Sequence, residues 1–259
     1  MNSVAALDPG ALGSVDLFLD LSPAALTEVT ALTRVRHLPK DGRVFEQGEP
    51  AERAHALIDG GVRISQSGSD GGQVLIRFIG PGEMFGAVAL FTDQRYPADA
   101  VTMVESLEVS WSEADLRDLL HRHPRIAMNV IRIIGKRLKE AQERVRELST
   151  QRVERRVAHA LLRLVRQAGQ IAQGGTAIDF PLRRKDVADI SGTTLHTVSR
   201  ILTAWEKAGL VVSHRQRLTV RDAARIMCIA EDATICAGAN AASAVRASMR
   251  PLKNRQTRY

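Results

Sequence analysis

Residues 192–200 read GTTLHTVSR, directly after LRRKDVADIS at 182–191. At helical spacing His196, Ser199 and Arg200 fall on one side of a helix that begins near Thr194. A guanidinium there presents paired donors matching the O6 and N7 acceptors of guanine, while hydroxyl and imidazole groups reach other base edges. Arg183, Arg184 and Lys185, with the Thr194 and Thr197 hydroxyls, suit phosphate contacts. His214, Arg215 and Arg217 add a second basic cluster in the stretch HRQR. This is the chemistry of duplex DNA recognition. Catalytic patterns are missing: there is no GxxxxGKS/T, no GxSxG and no HExxH, and the histidines form no zinc-ligand spacing.

These side chains need a rigid mount. Leu182, Val187, Ile190, Leu195, Val198, Ile201 and Leu202 take inward positions on two short helices, and Ala188 is small where they cross. Ser191-Gly192-Thr193 makes the turn, and Thr193 or Thr194 caps the second helix, so the segment predicts a helix-turn-helix. The hairpin GLVVSHRQRLTVRD (209–222) then forms a basic wing. A helix from about Gln151 to Ala168 precedes it, with Val153, Val157, Leu161, Leu162 and Leu164 inward, followed by a loop, GQIAQGGTAIDF, leading to a short strand.

Further upstream, Ala127, Ile131, Ile134, Leu138, Ala141, Val145 and Leu148 are spaced 4, 3, 4, 3, 4 and 3 residues apart. That heptad seam on a helix from Pro124 to about Leu148 favours pairing with a second copy of the chain. Before it, SEADLRDLLHRH predicts a helix capped by Ser112, and residues 22–33 predict one capped by Ser22. Between them, frequent glycines separate strand-like runs (RVFEQ, AHALI, VRISQ, QVLIRFI, VTMVESLEVSW), as in an antiparallel barrel or roll. The expected fold class is α+β: a β-roll over 15–123, a dimerisation helix over 124–149, a winged helix-turn-helix over 150–232, and a flexible basic tail over 233–259.

Charge follows the same division. Residues 1–149 carry 17 Lys and Arg against 21 Asp and Glu, and residues 150–259 carry 19 against 8. The basic half is the expected partner of a polyanion. No apolar run reaches membrane-spanning length, and the N-terminus lacks the basic segment of an export signal, so the cytoplasm is the expected compartment. The two cysteines, Cys228 and Cys236, make neither a CxxC nor a disulfide framework and are expected to be ordinary thiols.

The succession of VFEQGEPAERAHALIDGGVRIS, FIGPGEMFGAVALF, the heptad helix and TTLHTVSR resembles the CRP/FNR family of bacterial transcription regulators over residues 17–232. The resemblance implies a cyclic-nucleotide-binding-like roll, a homodimer, and a palindromic TTG…CAA-like operator. Arg200 then pairs with guanine and Ser199 lies near a thymine. His196 stands where glutamate is common, which places a different preference on the adjoining base pair. An activator of this kind also touches RNA polymerase. The resemblance places the effector pocket at Gly86, Ala87, Arg95, Tyr96, Pro97, Ala141 and Gln142. Cyclic AMP is disfavoured, because Ala87 follows Gly86 where that branch has glutamate, Tyr96-Pro97 replaces an Arg-Ser pair, and Ala141 and Gln142 replace two hydroxyl residues. An iron–sulfur cluster is excluded by the lack of cysteine in residues 1–149. RYPADA and TTLHTVSR are similar to stretches of nitric-oxide-responsive regulators of denitrification. That likeness implies a haem, with His37 or His55, or His121 or His123, as axial ligand and His159 as a weaker candidate. The alternatives are a regulatory module acting through protein contacts alone, and a CRP-like regulator with another effector or none.

Overall fold

The computed structural model describes residues 7–68, 72–172 and 174–231. The chain divides into two compact units between Val145 and Arg146. The expected basic tail, 233–259, lies outside the described residues, as do loop residues 69–71.

The first unit opens with α1 (Pro9–Leu12), a short 3-10 turn (Asp16–Phe18) and α2 (Pro23–Ala31), the last capped by Ser22, whose hydroxyl accepts from Ala25 N at 3.2 Å. Strands β1 (Arg34–Leu38), β2 (Arg43–Phe45), β3 (Arg53–Asp59), β4 (Val62–Ser67), β5 (Gln73–Ile79) and β6 (Met84–Phe85) lead to the single turn α3 (Ala87–Leu90), then to β7 (Asp99–Thr102) and β8 (Ser106–Ser112). They form two antiparallel sheets, β1-β8-β3-β6 and β2-β7-β4-β5. Alternation puts Ala54, Ala56, Val109 and Trp111 inside, where Trp111 meets Phe18 edge-on at 4.8 Å. The run VTMVESLEVSW, expected as one strand, is two: the chain turns at 103–105, where Met103 N is held by Gly61 O, before β8 begins. Helix α4 (Glu113–Arg122) is capped by Ser112 as expected. Helix α5 (Pro124–Thr150) follows; its first turns dock on the roll through buried Ile126 and through Asn129, whose amide donates to Leu17 O and Leu19 O at 3.0 and 2.9 Å.

The second unit holds the end of α5, α6 (Val153–Ala168), β9 (Gly169–Ala172), β10 (Gly175–Ile178), α7 (Arg184–Ser191), α8 (Leu195–Lys207), β11 (Val211–His214), β12 (Arg217–Val220) and α9 (Ala223–Glu231). Its sheet runs β11-β12-β10-β9. Residues 169–172, expected as loop, are strand β9, because Thr176 and Ala177 supply a partner register that local composition does not reveal. Cys228, on α9, is disulfide-bonded rather than an ordinary thiol. The lack of a framework argues only against several links; Cys236 lies outside the described residues.

One buried charge cluster crosses the first sheet. Glu108, fully buried on β8, takes a 2.6 Å hydrogen bond from Arg36 Nε on β1 and another of 2.6 Å from His55 Nδ1 on β3. His55 Nε2 lies 3.1 Å from the Tyr96 hydroxyl, which is also 2.8 Å from Arg53 O. Burial holds His55 below its ordinary 6.5, and its partners His55 and Arg36 hold Glu108 below its ordinary 4.5 against the opposing effect of burial. On unfolding, His55 takes up a proton below pH 6.5 and Glu108 below pH 4.5, so the unfolded state binds more protons and stability falls with acid. The thermal midpoint of the first unit is expected to drop between pH 7.5 and pH 5, and His55→Gln is expected to flatten that slope in a pH series of melts.

Candidate DNA interface and effector cavity

The helix-turn-helix is built on one left-handed residue. Gly192 has φ 62° and ψ 49° and closes α7, with its N–H in reach of Ala188 and Asp189 carbonyls. Arg156 of α6 clamps the same corner, donating to Ser191 O at 2.9 Å and Gly192 O at 3.0 Å. Nothing local in the sequence marks Arg156 for this work, since its acceptors lie 35 and 36 residues away. Thr194 caps α8, its hydroxyl accepting from Thr197 N at 3.2 Å. Val187, Ala188, Val198 and Leu202 are buried between the helices, with Leu182, Ile190 and Ile201. Leu195 is not inward as expected: it is the first residue of α8, ahead of the crossing, and is 44% exposed.

On the other side of α8, His196 and Arg200 are exposed and Ser199 is half-buried. The basic residues before α7 divide. Arg183 and Lys185 are exposed and pair with Asp186 and Asp189, side chains of their own helix. Arg184, expected to face phosphate, is half-buried and turned onto α8, 3.4 Å from Ser199 O, the Thr203 hydroxyl and Glu206. The acidic Glu206 draws it inward. Between α7, α8 and the wing lies a cavity of about 240 Å³ lined in part by Arg183, Arg184 and Arg217. His214, Arg215 and Arg217 are exposed at the wing. Arg215 and Gln216, the two loop residues, both have positive φ (46° and 66°), which a two-residue hairpin turn requires but which asparagine or glycine would adopt more easily.

In the first unit, the expected pocket residues part company. Gly86 and Pro97 line a cavity of about 150 Å³ with Phe45, Ile64, Ile79, Phe85, Val88, Ala89 and Ala98. Ala87 and Tyr96 are outside that lining; Tyr96 is buried and stacks on Phe45 at 3.8 Å with its hydroxyl at His55. Arg95 turns away and donates to Gly48 O at 2.6 Å. Ala141 and Gln142 are exposed on α5, a turn beyond the helix's contribution, which is Arg137. Arg77 of β5 is the other charged residue of the lining. Neither arginine was singled out from sequence, although an arginine inside the apolar run QVLIRFI was a signal. The Gly86 backbone has φ 74°, and a Cβ there would lie 3.0 Å from His55 Cδ2 and 3.2 Å from the Phe45 and Tyr96 rings.

The histidines do not make a haem site. Both His55 nitrogens are engaged, by Glu108 and Tyr96, and the residue is buried. His37 is exposed on β1, His121 bonds Arg117 O and His123 meets Glu28. His159 belongs to the second unit, 3.9 Å from Glu147. The cavity is also below the ~300–1,000 Å³ usual for ligands of drug size, and a porphyrin is no smaller than these.

The seam residues Ile131, Ile134, Leu138, Ala141, Val145 and Leu148 are exposed along α5, and Ala127 is half-buried where the helix docks on the roll. Gly192→Ala is expected to cost at least about 1–2 kcal/mol, since a left-handed alanine is strained and its Cβ would also run into Leu148 Cδ2; urea unfolding of the variant measures it.

Two family profiles match, the Cyclic nucleotide-binding domain over residues 35–123 and the Crp-like helix-turn-helix domain over 155–229. The Cyclic AMP receptor protein of Thermus thermophilus is 30% identical over 208 residues, 80% of this chain and 93% of that one. The CRP-like cAMP-activated global transcriptional regulator of Mycobacterium tuberculosis is 26% identical over 83% of this chain and 96% of its own. The solved structure of FixK2 from Bradyrhizobium japonicum, 24% identical, shares the fold with a TM-score of 0.66 over 76% of this chain and 96% of that one. Roll, long helix and winged head thus recur together in relatives matched over nearly their whole length, and the chain belongs to the CRP/FNR family of DNA-binding transcription regulators.

Proposed function

We propose that this regulator acts as a homodimer on a palindromic TTG…CAA-like operator, each α8 reading one half-site through Arg200, Ser199 and His196. The observation that carries the reading is the outward face of α8: the two longest readers are exposed on a helix whose opposite side is buried. A bidentate arginine–guanine pair supplies the discrimination, and Arg183, Lys185, Arg215 and Arg217 supply the sequence-independent attraction to phosphate. Dimerisation is supported by the exposed stripe Ile131, Ile134, Leu138, Val145 and Leu148, large apolar side chains at heptad spacing on one helix. Two copies paired along it present two reading helices to successive turns of one face of the duplex.

The roll is the regulatory part, with the cavity beside Gly86 as its effector site. A ligand that binds one arrangement of the dimer more tightly than another shifts the balance between them. Nitric oxide as the signal rests on the RYPADA and TTLHTVSR stretches alone, and no histidine near the cavity is free to hold a haem. Control of denitrification genes and contact with RNA polymerase rest on the same family likeness.

Arg200→Ala is expected to cost about 1–3 kcal/mol on the specific site and to remove discrimination at the guanine; equal competition by scrambled duplex in gel shifts is the expected result. His196→Glu is expected to change preference only at the adjoining base pair, read by a panel of operators. Replacing Arg215-Gln216 by Asn-Gly is expected to stabilise the second unit by about 1–2 kcal/mol and to reduce the salt slope of DNA binding by about 1 per monomer.

A further inference from the structure

We propose that the cavity beside Gly86 binds a small organic monoanion, a single carboxylate on a compact apolar body, with Arg137 of α5 as the donor to the carboxylate. The proposal rests on the effector reading of the roll and names the ligand's chemistry.

The walls are apolar: Phe45, Ile64, Ile79, Phe85, Val88 and Pro97 dominate the lining, and the charged members are both arginines. Arg77 already has a carboxylate, Glu83, at 3.2 Å. Arg137 has none within ion-pairing distance among the described residues, and the acceptor it finds is the Met84 carbonyl. The charged groups around it are Arg77, Glu83, Asp16 and Glu140. Burial and the Arg77 charge push Arg137 down to about 10, so it stays protonated near neutrality while poorly compensated. A cation in such a setting gains most from an anion that brings its own carboxylate and fills the apolar space with carbon. The planar guanidinium fork fits a carboxylate by two parallel hydrogen bonds. About 150 Å³ suits a branched or aromatic acid of a few carbons. Arg137 sits between Ile134 and Leu138 of the exposed stripe. A ligand held by it and by the Phe85-Gly86 wall therefore ties that stripe's helix to the roll, which is a direct route from occupancy to pairing.

The test is calorimetry on the full chain with benzoate and 3-methylbutanoate, beside their neutral amides and cyclic AMP. The expected result is saturable binding of an acid, with its amide at least about tenfold weaker, the loss of a charge-assisted pair. Arg137→Gln is expected to bring the acid down to the amide's affinity and leave the amide unchanged; Arg137→Lys, which keeps charge but not the fork, is expected to fall between. Melts of each variant without ligand establish that it is folded, and if the glutamine variant is not, the lysine variant and the acid–amide difference decide. Equal affinity for acid and amide, no binding by either acid, or acid binding unchanged in a folded Arg137→Gln overturns the proposal, as does cyclic AMP binding that excludes the acids. Duplex binding is measured on the same preparations with and without the acids. Its retention alongside failed acid binding overturns the anion site alone, whereas its absence in both conditions alongside intact acid binding overturns the operator reading alone.

Discussion

Glu108 is a carboxylate with no exposed surface in the middle of a β-sheet. A charge so placed is tolerable only when several donors converge on it, and here they come from both neighbouring strands. Arg36 stands directly opposite on β1, and His55 reaches diagonally from β3. The register of three strands is therefore locked by one side chain, since a one-residue slip would point Glu108, Arg36 or His55 to the wrong face. The lock extends further. His55 reaches Tyr96, whose ring stacks on Phe45, and both Phe45 and His55 border the left-handed Gly86. The wall of the cavity is thus an extension of the cluster that holds the sheet.

The DNA-reading unit solves a different problem with the same economy of parts. A reading helix must present polar side chains while its other side is pinned. Gly192 supplies the sharp reversal, Arg156 ties down the carbonyls that the reversal leaves open, and Thr194 satisfies the Thr197 N–H in the first turn of α8. Arg184 braces α7 to α8. Basic residues adjacent in sequence thereby acquire different jobs, which charge counting alone does not separate.

The cavity draws its charged lining from other elements than the expected pocket residues. Arg95, the basic residue among the expected pocket positions, is committed to the Gly48 carbonyl, and Tyr96 to the core. The positive charge comes instead from β5 and from α5. Moving the cation to another wall changes the size and shape of what it can hold.

Much of the architecture was legible in residue order. Local rules sufficed for the Ser22 and Ser112 caps, the turn at Gly192, the wing hairpin and the long α5, and narrowed the α8 cap to Thr193 or Thr194, because each depends on neighbours a few residues apart. That His196, Ser199 and Arg200 lie together on α8, away from its buried Val198 and Leu202, followed from helical periodicity for the same reason. What needed the tertiary structure were features set by residues distant in sequence. Strand β9 exists because β10 pairs with it, and Leu195 is exposed because the helix crossing begins after it. Arg137 enters the cavity, in place of Ala141 and Gln142, because Asn129 and Ile126 set how α5 docks on the roll. Sequence periodicity gives the phase of a helix along itself; only packing decides which of its residues meets a given wall.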